Sequence, residues 1–241
     1  MSAQAPEQQS GLSWLWQCLV KALPTVLVAL LALELSQAID EPLSRLFYRP
    51  GEGFFLDHSA PVQLLYHGTR WFSAALAAGL LGVLAWSALT QRKRVRNLAA
   101  YAVLAFALGP GLIVNGLLKE HWGRPRPEQL REFGGQAEYV PALWPTGTCQ
   151  HNCSFVSGHA SAGFFLITGA WVWPRRRWEW RAAGIAAGGL IGLARIVQGG
   201  HFFSDVLGAL VVVWFTNELL YRALLGLGWL EPPPPPAKPA G

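Results

Sequence analysis

Six stretches of this 241-residue chain are apolar for long enough to cross a lipid bilayer, and no other feature constrains its fold as strongly. A spanning helix needs about 20 predominantly apolar residues, because every backbone polar group must be satisfied within the helix once water is gone. The stretches run from Trp14 to Ala38 (with its most apolar part from Leu23 to Leu35), Trp71 to Leu89, Leu98 to Leu118, Ser157 to Trp173, Ala182 to Val197 and Asp205 to Leu225. The fifth carries Gly184, Gly188 and Gly192 four apart on one face, which suits close helix contacts within or between subunits. Composition agrees: 52% of residues are hydrophobic and 14% charged, where soluble domains have about 25% charged residues. Its 12 Trp and 12 Phe are foreign to disordered chains, and three Cys cannot staple a secreted scaffold of this length. The expected fold is therefore an all-α integral membrane protein, a six-transmembrane-helix bundle.

The net charge of +5 is explained by position. Arg92, Lys93, Arg94 and Arg96 lie between the second and third spans, and Arg175, Arg176, Arg177 and Arg181 between the fourth and fifth, so eight of 19 Lys and Arg sit in two short connections on one side. The positive-inside rule puts that side, and both termini, in the cytoplasm. No aromatic interleaving or motif accompanies these runs, so a nucleic-acid partner is not expected. Residues 1–13 read as a cytoplasmic N-terminal segment, 14–229 as the membrane domain, and 230–241, with five consecutive prolines, as an extended cytoplasmic tail. Ser36-Gln37-Ala38 resembles a signal-peptidase site, but the Trp-rich lead-in with only Lys21 favours a retained anchor. Residues 39–69 are extracytoplasmic either way.

Three segments then face away from the cytoplasm: 39–69, 119–156 and a turn near 198–204. Lys119, Arg124 and Arg126 follow the third span; Ser157, Gly158 and His159 open the fourth; Arg195, His201 and Asp205 bracket the last turn. Cations, two histidines and a carboxylate converging at one membrane face suit phosphoryl transfer, which depends on positioning and on stabilising distributed negative charge. Ser157 can cap a helix whose free N–H groups accept a phosphate oxygen. His201 and Asp205, four apart, can pair across one helical turn. Gly199-Gly200 permits the sharp turn that would swing His201 back toward Arg195.

Lys119 followed by six residues and Arg126-Pro127, then Ser157-Gly158-His159, then Arg195 with five residues before His201 and three more before Asp205, resembles the three-part signature of the type 2 phosphatidic acid phosphatase (PAP2) superfamily. Its membrane branch is expected to have six spans with an extracytoplasmic active site. The resemblance implies that His201 attacks phosphorus to form a phosphohistidine, that Asp205 orients it, and that His159 protonates the leaving oxygen and later activates water. Lys119, Arg126, Arg195, Ser157 and the Gly158 N–H would bind the phosphoryl oxygens, with no metal and no cofactor. Two positions depart from the pattern: Val156 stands where Pro is usual before Ser-Gly-His, and Ala194 where Ser is usual before the third-motif Arg. Arg124-Pro125 is a second Arg-Pro, but only Arg126 has the six-residue spacing from Lys119.

The loop from Gly134 to Cys153 and the run Asn152-Cys153-Ser154-Phe155-Val156 before Ser157 are similar to bacterial lipid A phosphatases within this superfamily, which implies a bacterial inner membrane with the site facing the periplasm. The same residues would serve undecaprenyl pyrophosphate, phosphatidylglycerophosphate or phosphatidic acid, or would pass the phosphate to another lipid instead of water. A transporter or anionic-lipid-binding protein is the alternative of another class. It predicts charges near the bilayer midplane, whereas here they cluster at one end of the spans.

Cys149 and Cys153 are placed to form a disulfide beside the site in an oxidising compartment, and with His151 they invite a metal reading that lacks a fourth ligand. Cys18 reads as a packing residue. His58 and His67 read as interfacial polar residues, and Phe54, Phe55, Leu56 and Tyr66 as a segment lying along the membrane.

Overall fold

Helices Gly11–Ser36 (α1), Ala60–Leu89 (α3), Arg177–Val197 (α8) and Phe203–Gly226 (α9), with a composite rod from Lys93 to His121, form the frame of the molecule. The computed structural model describes residues 11–232, with side chains from Leu23 onward. Most of the expected segment 1–13 and tail 230–241 therefore falls outside the described residues, as do the side chains of Cys18 and Lys21.

The first helix is followed by a 3-10 turn at Gln37–Ile39, a short helix Asp40–Arg45 (α2) and a two-stranded ribbon. In the ribbon Tyr48–Arg49 (β1) pairs antiparallel with Gly53–Phe54 (β2), Tyr48 opposite Phe54. The composite rod begins as Lys93–Phe106 (α4), widens to a π-helix over Ala107–Leu118 and ends in the turn Lys119–His121 (α5). Pro110 sits inside the widened stretch, where it has no N–H to donate. The Asn115 side chain donates to the Pro110 carbonyl at 2.6 Å.

Among the described residues, five helical runs are long and apolar enough to cross a membrane: Leu23–Arg45, Ala60–Leu89, Lys93–His121, Pro174–Val197 and Phe203–Gly226. The fourth expected stretch is different. It is built from Gly158–Phe164 (α6), a 3-10 turn at Phe165–Thr168 and Gly169–Val172 (α7), and it is almost wholly buried among α8, α9, α3 and the π segment. A helix enclosed by protein need not match the hydrocarbon thickness by itself, so hydropathy overstated its resemblance to the other five. The outward faces of those five carry large apolar side chains such as Trp71 (76% exposed) and Leu89 (84% exposed). Water would not tolerate so much apolar surface, and a bilayer requires it.

The second span begins earlier than expected. Ser59 has extended backbone angles and Pro61 occupies the first turn, so the helix starts at Ala60. That puts Tyr66 and His67, expected in a loop, on the first turns of α3.

The glycine face of α8 is used inside the chain. A Cβ on Gly163 of α6 would lie 2.7 Å from the Gly188 backbone, one on Gly184 2.5 Å from Ile167, and one on Gly192 2.4 Å from a Val206 methyl. These contacts lock α6 against α8 and α8 against α9. Deeper in the bundle, Tyr101 donates to Asn217 Oδ1 at 2.8 Å, a buried hydrogen bond between α4 and α9.

The bundle has two distinct ends. Lys93, Arg94, Pro174, Trp229 and Glu231 line one cavity, so the basic connections and the last described residues share an end. The signature residues lie at the other: Lys119 in α5 and Arg126 in the loop after it, Ser157 to His159 at the start of α6, Arg195 in the last turn of α8, His201 in the turn that follows, and Asp205 in the first turn of α9.

Candidate active site

Asp205 lies in the first turn of α9 and is fully buried. Its Oδ1 accepts from Arg124 Nη1; its Oδ2 accepts from Ser154 Oγ and, at 2.8 Å, from the Phe202 N–H. Its backbone carbonyl accepts the Ser157 N–H at 3.1 Å, which stitches the second and third motifs together. His201 Nδ1 is 3.6 Å from Asp205 Oδ2, longer than a hydrogen bond, and has no other partner among the described residues. Such contacts are often loose before substrate binds. Burial, then the nearby Arg195 and Lys119 cations, push the His201 imidazole down to about 3, against the pull of Asp205. His201 is therefore neutral near pH 7, the state in which an imidazole nitrogen has a lone pair to donate.

The diglycine turn works as a fold-back. Gly199 has a φ of +70°, and a Cβ on Gly200 would lie 2.0 Å from Arg195 Nη2. The turn thus closes directly over the Arg195 guanidinium. Arg195 Nη1 donates to Gln198 Oε1, and Gln198 Nε2 donates to Asp57 Oδ1 at 2.8 Å. Arg195 Nε is buried with no partner among the described residues. Lys119 is buried at the end of the rod, where it senses the charges of both Arg126 and Arg195. Arg126 donates Nη2 to the Asn152 carbonyl at 2.9 Å and lies 3.8 Å from Glu128.

Ser157 caps α6, accepting the Ala160 N–H at 3.4 Å. Gly158 follows where there is no room for a side chain: a Cβ there would lie 2.5 Å from Asn115 Oδ1. His159 stacks on Tyr66, ring centroids 4.8 Å apart. A cavity of about 410 Å³ opens beside them, lined by Tyr66, His67, Arg70, Asn115, Gly158 and His159.

Several residues here carried no signal in the sequence or a misleading one. Tyr66 was expected along the membrane and instead touches His159 and Arg195, its ring centroid 4.7 Å from the Arg195 guanidinium carbon. Phe54 also packs inward, with Leu130, Phe133 and Phe202, and lies against Gly199. His67 lines the cavity, while His58 is exposed beside Asp57. Arg124 has every N–H engaged by Val140, Ser204, Asp205, Asp40 and Tyr139, which leaves it no donor for a phosphate. The Arg124-Pro125 doublet was the clue to it, but its partners are remote in sequence.

Cys149 and Cys153 are joined by a disulfide, Cα atoms 5.7 Å apart. Cys153 N–H donates to the Lys119 carbonyl and Ser154 N–H to the Arg124 carbonyl, both at 2.9 Å, so the bridge lies where the loop is fastened to the site. With both sulfurs bonded to each other, neither is a thiolate ligand, and His151 instead faces Glu120 at 3.2 Å. Among the described residues no group of three or more His, Cys, Asp or Glu is arranged to hold a metal ion.

A helical bundle with a three-part cationic and histidine site at one end defines the class: residues 99–228, more than half of the chain, match the PAP2 superfamily, and the chain belongs to it. Within it, the chain is similar to the lipid A 4'-phosphatase of Francisella tularensis subsp. novicida, with 40% identity over 135 residues, covering 54% of this chain and 61% of the relative. It is 41% identical over 121 residues to the lipid A 4'-phosphatase of Rhizobium leguminosarum, covering 50% of each chain. A lipid A 1-phosphatase of Rhizobium johnstonii is 34% identical over 108 residues, covering 44% of this chain and 40% of the relative. The chain thus spans about half of the length of the curated relatives it matches. No solved structure matches it significantly.

Proposed function

We propose that this chain is a membrane-embedded lipid phosphatase that removes a phosphate from a lipid headgroup, lipid A being the favoured substrate, at the periplasmic face of a bacterial inner membrane. The observation that carries the reading is that Lys119 and Arg195 lie close to a buried, neutral His201 backed by Asp205, with Arg126 beside those two cations. A cluster of three cations beside an imidazole forms a site for a tetrahedral anion with a nucleophile behind it. The segment that matches the superfamily, residues 99–228, carries these residues, and the chain is similar to relatives named for lipid A.

In this scheme the His201 Nε2 lone pair forms a bond to phosphorus while the ester P–O bond breaks, and His159 gives its proton to the departing oxygen. Water, losing a proton to His159, then attacks the phosphohistidine; the N–P bond breaks, and inorganic phosphate leaves. Lys119, Arg126, Arg195, Ser157 and the Gly158 N–H hold the phosphoryl oxygens, with the two arginines offering forked donors that a lysine cannot replace. The cavity beside His159 takes the adjoining part of the headgroup.

The topology is six spans, both termini cytoplasmic, with Gly158–Val172 as the fourth. At about 1.5 Å per residue its 15 residues cover roughly 22 Å, less than the hydrocarbon core. Its His159 end therefore sits recessed from the membrane surface. The eight cytoplasmic cations of the two basic connections support this orientation.

The test presents purified full-length protein in detergent with lipid A, undecaprenyl pyrophosphate, phosphatidylglycerophosphate and phosphatidic acid, with and without EDTA, and measures released phosphate. Release from lipid A that survives EDTA and disappears in His201→Ala is expected. Turnover of none of the four lipids, activity lost in EDTA, or full activity in His201→Ala would overturn the proposal.

A further inference from the structure

The group that aims Asp205 is itself held by a second carboxylate, Asp40, which lies in α2, outside the segment matched to the superfamily. Arg124 Nη1 donates to Asp205 and Arg124 Nη2 to Asp40 at 2.8 Å, and all three side chains are completely buried. Ser204, beside Asp205 in sequence, closes the ring: its N–H donates to Asp40 Oδ1 at 2.8 Å, and its hydroxyl accepts from Arg124 and donates to Asp40 Oδ2. Tyr139 donates to the same Oδ2 at 3.0 Å. Every partner of Asp40 is a donor, the arrangement of an ionised carboxylate.

The charges do not cancel. One arginine lies between two carboxylates, so with both ionised the buried assembly behind Asp205 carries one negative charge in excess. Were Asp40 absent, Arg124 and Asp205 would form a neutral pair, and His201 would face Arg195 and Lys119 with no net negative charge behind it. Attack of Nε2 on phosphorus leaves positive charge on the imidazole ring, so this is where a negative background is needed.

We infer that Asp40, acting through Arg124 and Ser204, is a positioning residue that keeps Asp205 oriented and electrostatically available to His201. The N-terminal part of the chain, which carries none of the phosphate-binding signature, thereby contributes to the nucleophile. The inference deepens the phosphatase reading and rests on it for its kinetic consequence, but the coupling itself does not.

Two measurements on the full-length protein in detergent separate the possibilities. In the first, Asp40→Asn is expected to lower kcat by roughly 10- to 100-fold while the inhibition constant for inorganic phosphate stays within about twofold, because Lys119, Arg126 and Arg195 are untouched. Asp40→Glu should recover part of the rate. Tyr139→Phe, a milder change that removes one donor to Asp40, should lower kcat a few-fold with the same unchanged phosphate inhibition, and it serves if Asp40→Asn does not fold. Wild-type kcat in a folded Asp40→Asn or in Tyr139→Phe, or parallel losses of kcat and phosphate affinity, would overturn the inference. The second measurement is a double-mutant cycle of thermal stability between Asp40→Asn and Asp205→Asn. The double variant, with Arg124 buried and unpaired, should lose more than the sum of the single losses, and additive losses would overturn the network. If wild-type protein turns over no lipid phosphate, the phosphatase reading fails, and the cycle still decides the coupling.

Discussion

The Tyr66 ring stacks on the His159 imidazole with centroids 4.8 Å apart and planes 21° from parallel, and the same ring lies 4.7 Å from the Arg195 guanidinium carbon. One aromatic side chain from α3 thus contacts both the proposed general acid and one arm of the proposed phosphate clamp. Stacking and cation–π contacts each contribute about 0.5–1.5 kcal/mol. Tyr66→Ala is accordingly expected to lower kcat/KM by about 10- to 100-fold, and Tyr66→Phe, which keeps the ring, by no more than a few-fold. Steady-state kinetics on both variants checks this; equal losses would show that the hydroxyl, and not the ring, matters.

The seam between α6 and α8 leaves no room for a side chain at Gly188, where a Cβ would lie 2.2 Å from Phe164 Cδ1. Gly188→Ala must push Phe164 or the helix aside, at a cost of about 1–3 kcal/mol. The thermal midpoint should fall, and because α6 carries His159, the activity of the folded fraction should fall with it. Gly189→Ala is the control, since nothing lies within 4 Å of a Cβ there. Differential scanning fluorimetry separates the two variants.

Acid sensitivity follows from His201. Its pKa lies at about 3 in the folded protein and at the ordinary 6.5 when exposed. Between those values the unfolded chain holds a proton that the native chain lacks, so this contribution to stability is complete above pH 6.5 and declines as pH falls toward 3. The slope approaches about 1.4 kcal/mol per pH unit well inside that window. Thermal midpoints from pH 7.5 to pH 4.5 should fall more steeply for wild type than for His201→Asn. Identical slopes would mean that His201 is not held neutral in the native state.

Much of this site was legible in the sequence because its residues recur at short, fixed spacings: Lys119 to Arg126, Ser157 to His159, Arg195 to Asp205. Each of these groups occupies one helix end or one turn, so local spacing translates directly into geometry. Asp40 and Tyr66 were not legible, since they reach Arg124 and His159 across the fold with no periodicity to announce them. Arg124 looked like a duplicate of Arg126, and only its burial distinguishes a residue that holds Asp205 from one free to meet a phosphate. The spans were visible wherever a helix faces lipid. Hydropathy did not distinguish Gly158–Val172, which is enclosed by its neighbours, from the helices with exposed apolar faces, and it misplaced the start of α3, where Ser59 and Pro61 set the boundary in a stretch without an apolar run.

The claim at the centre of the account is that His201 carries the phosphoryl group. Wild-type protein mixed with lipid A labelled with 32P in its phosphates, quenched in alkali within the first turnover and digested, should yield one labelled peptide, with the label on His201 as an alkali-stable phosphohistidine. His201→Ala should yield none. Label on another residue, or hydrolysis at the wild-type rate without His201, would contradict the account.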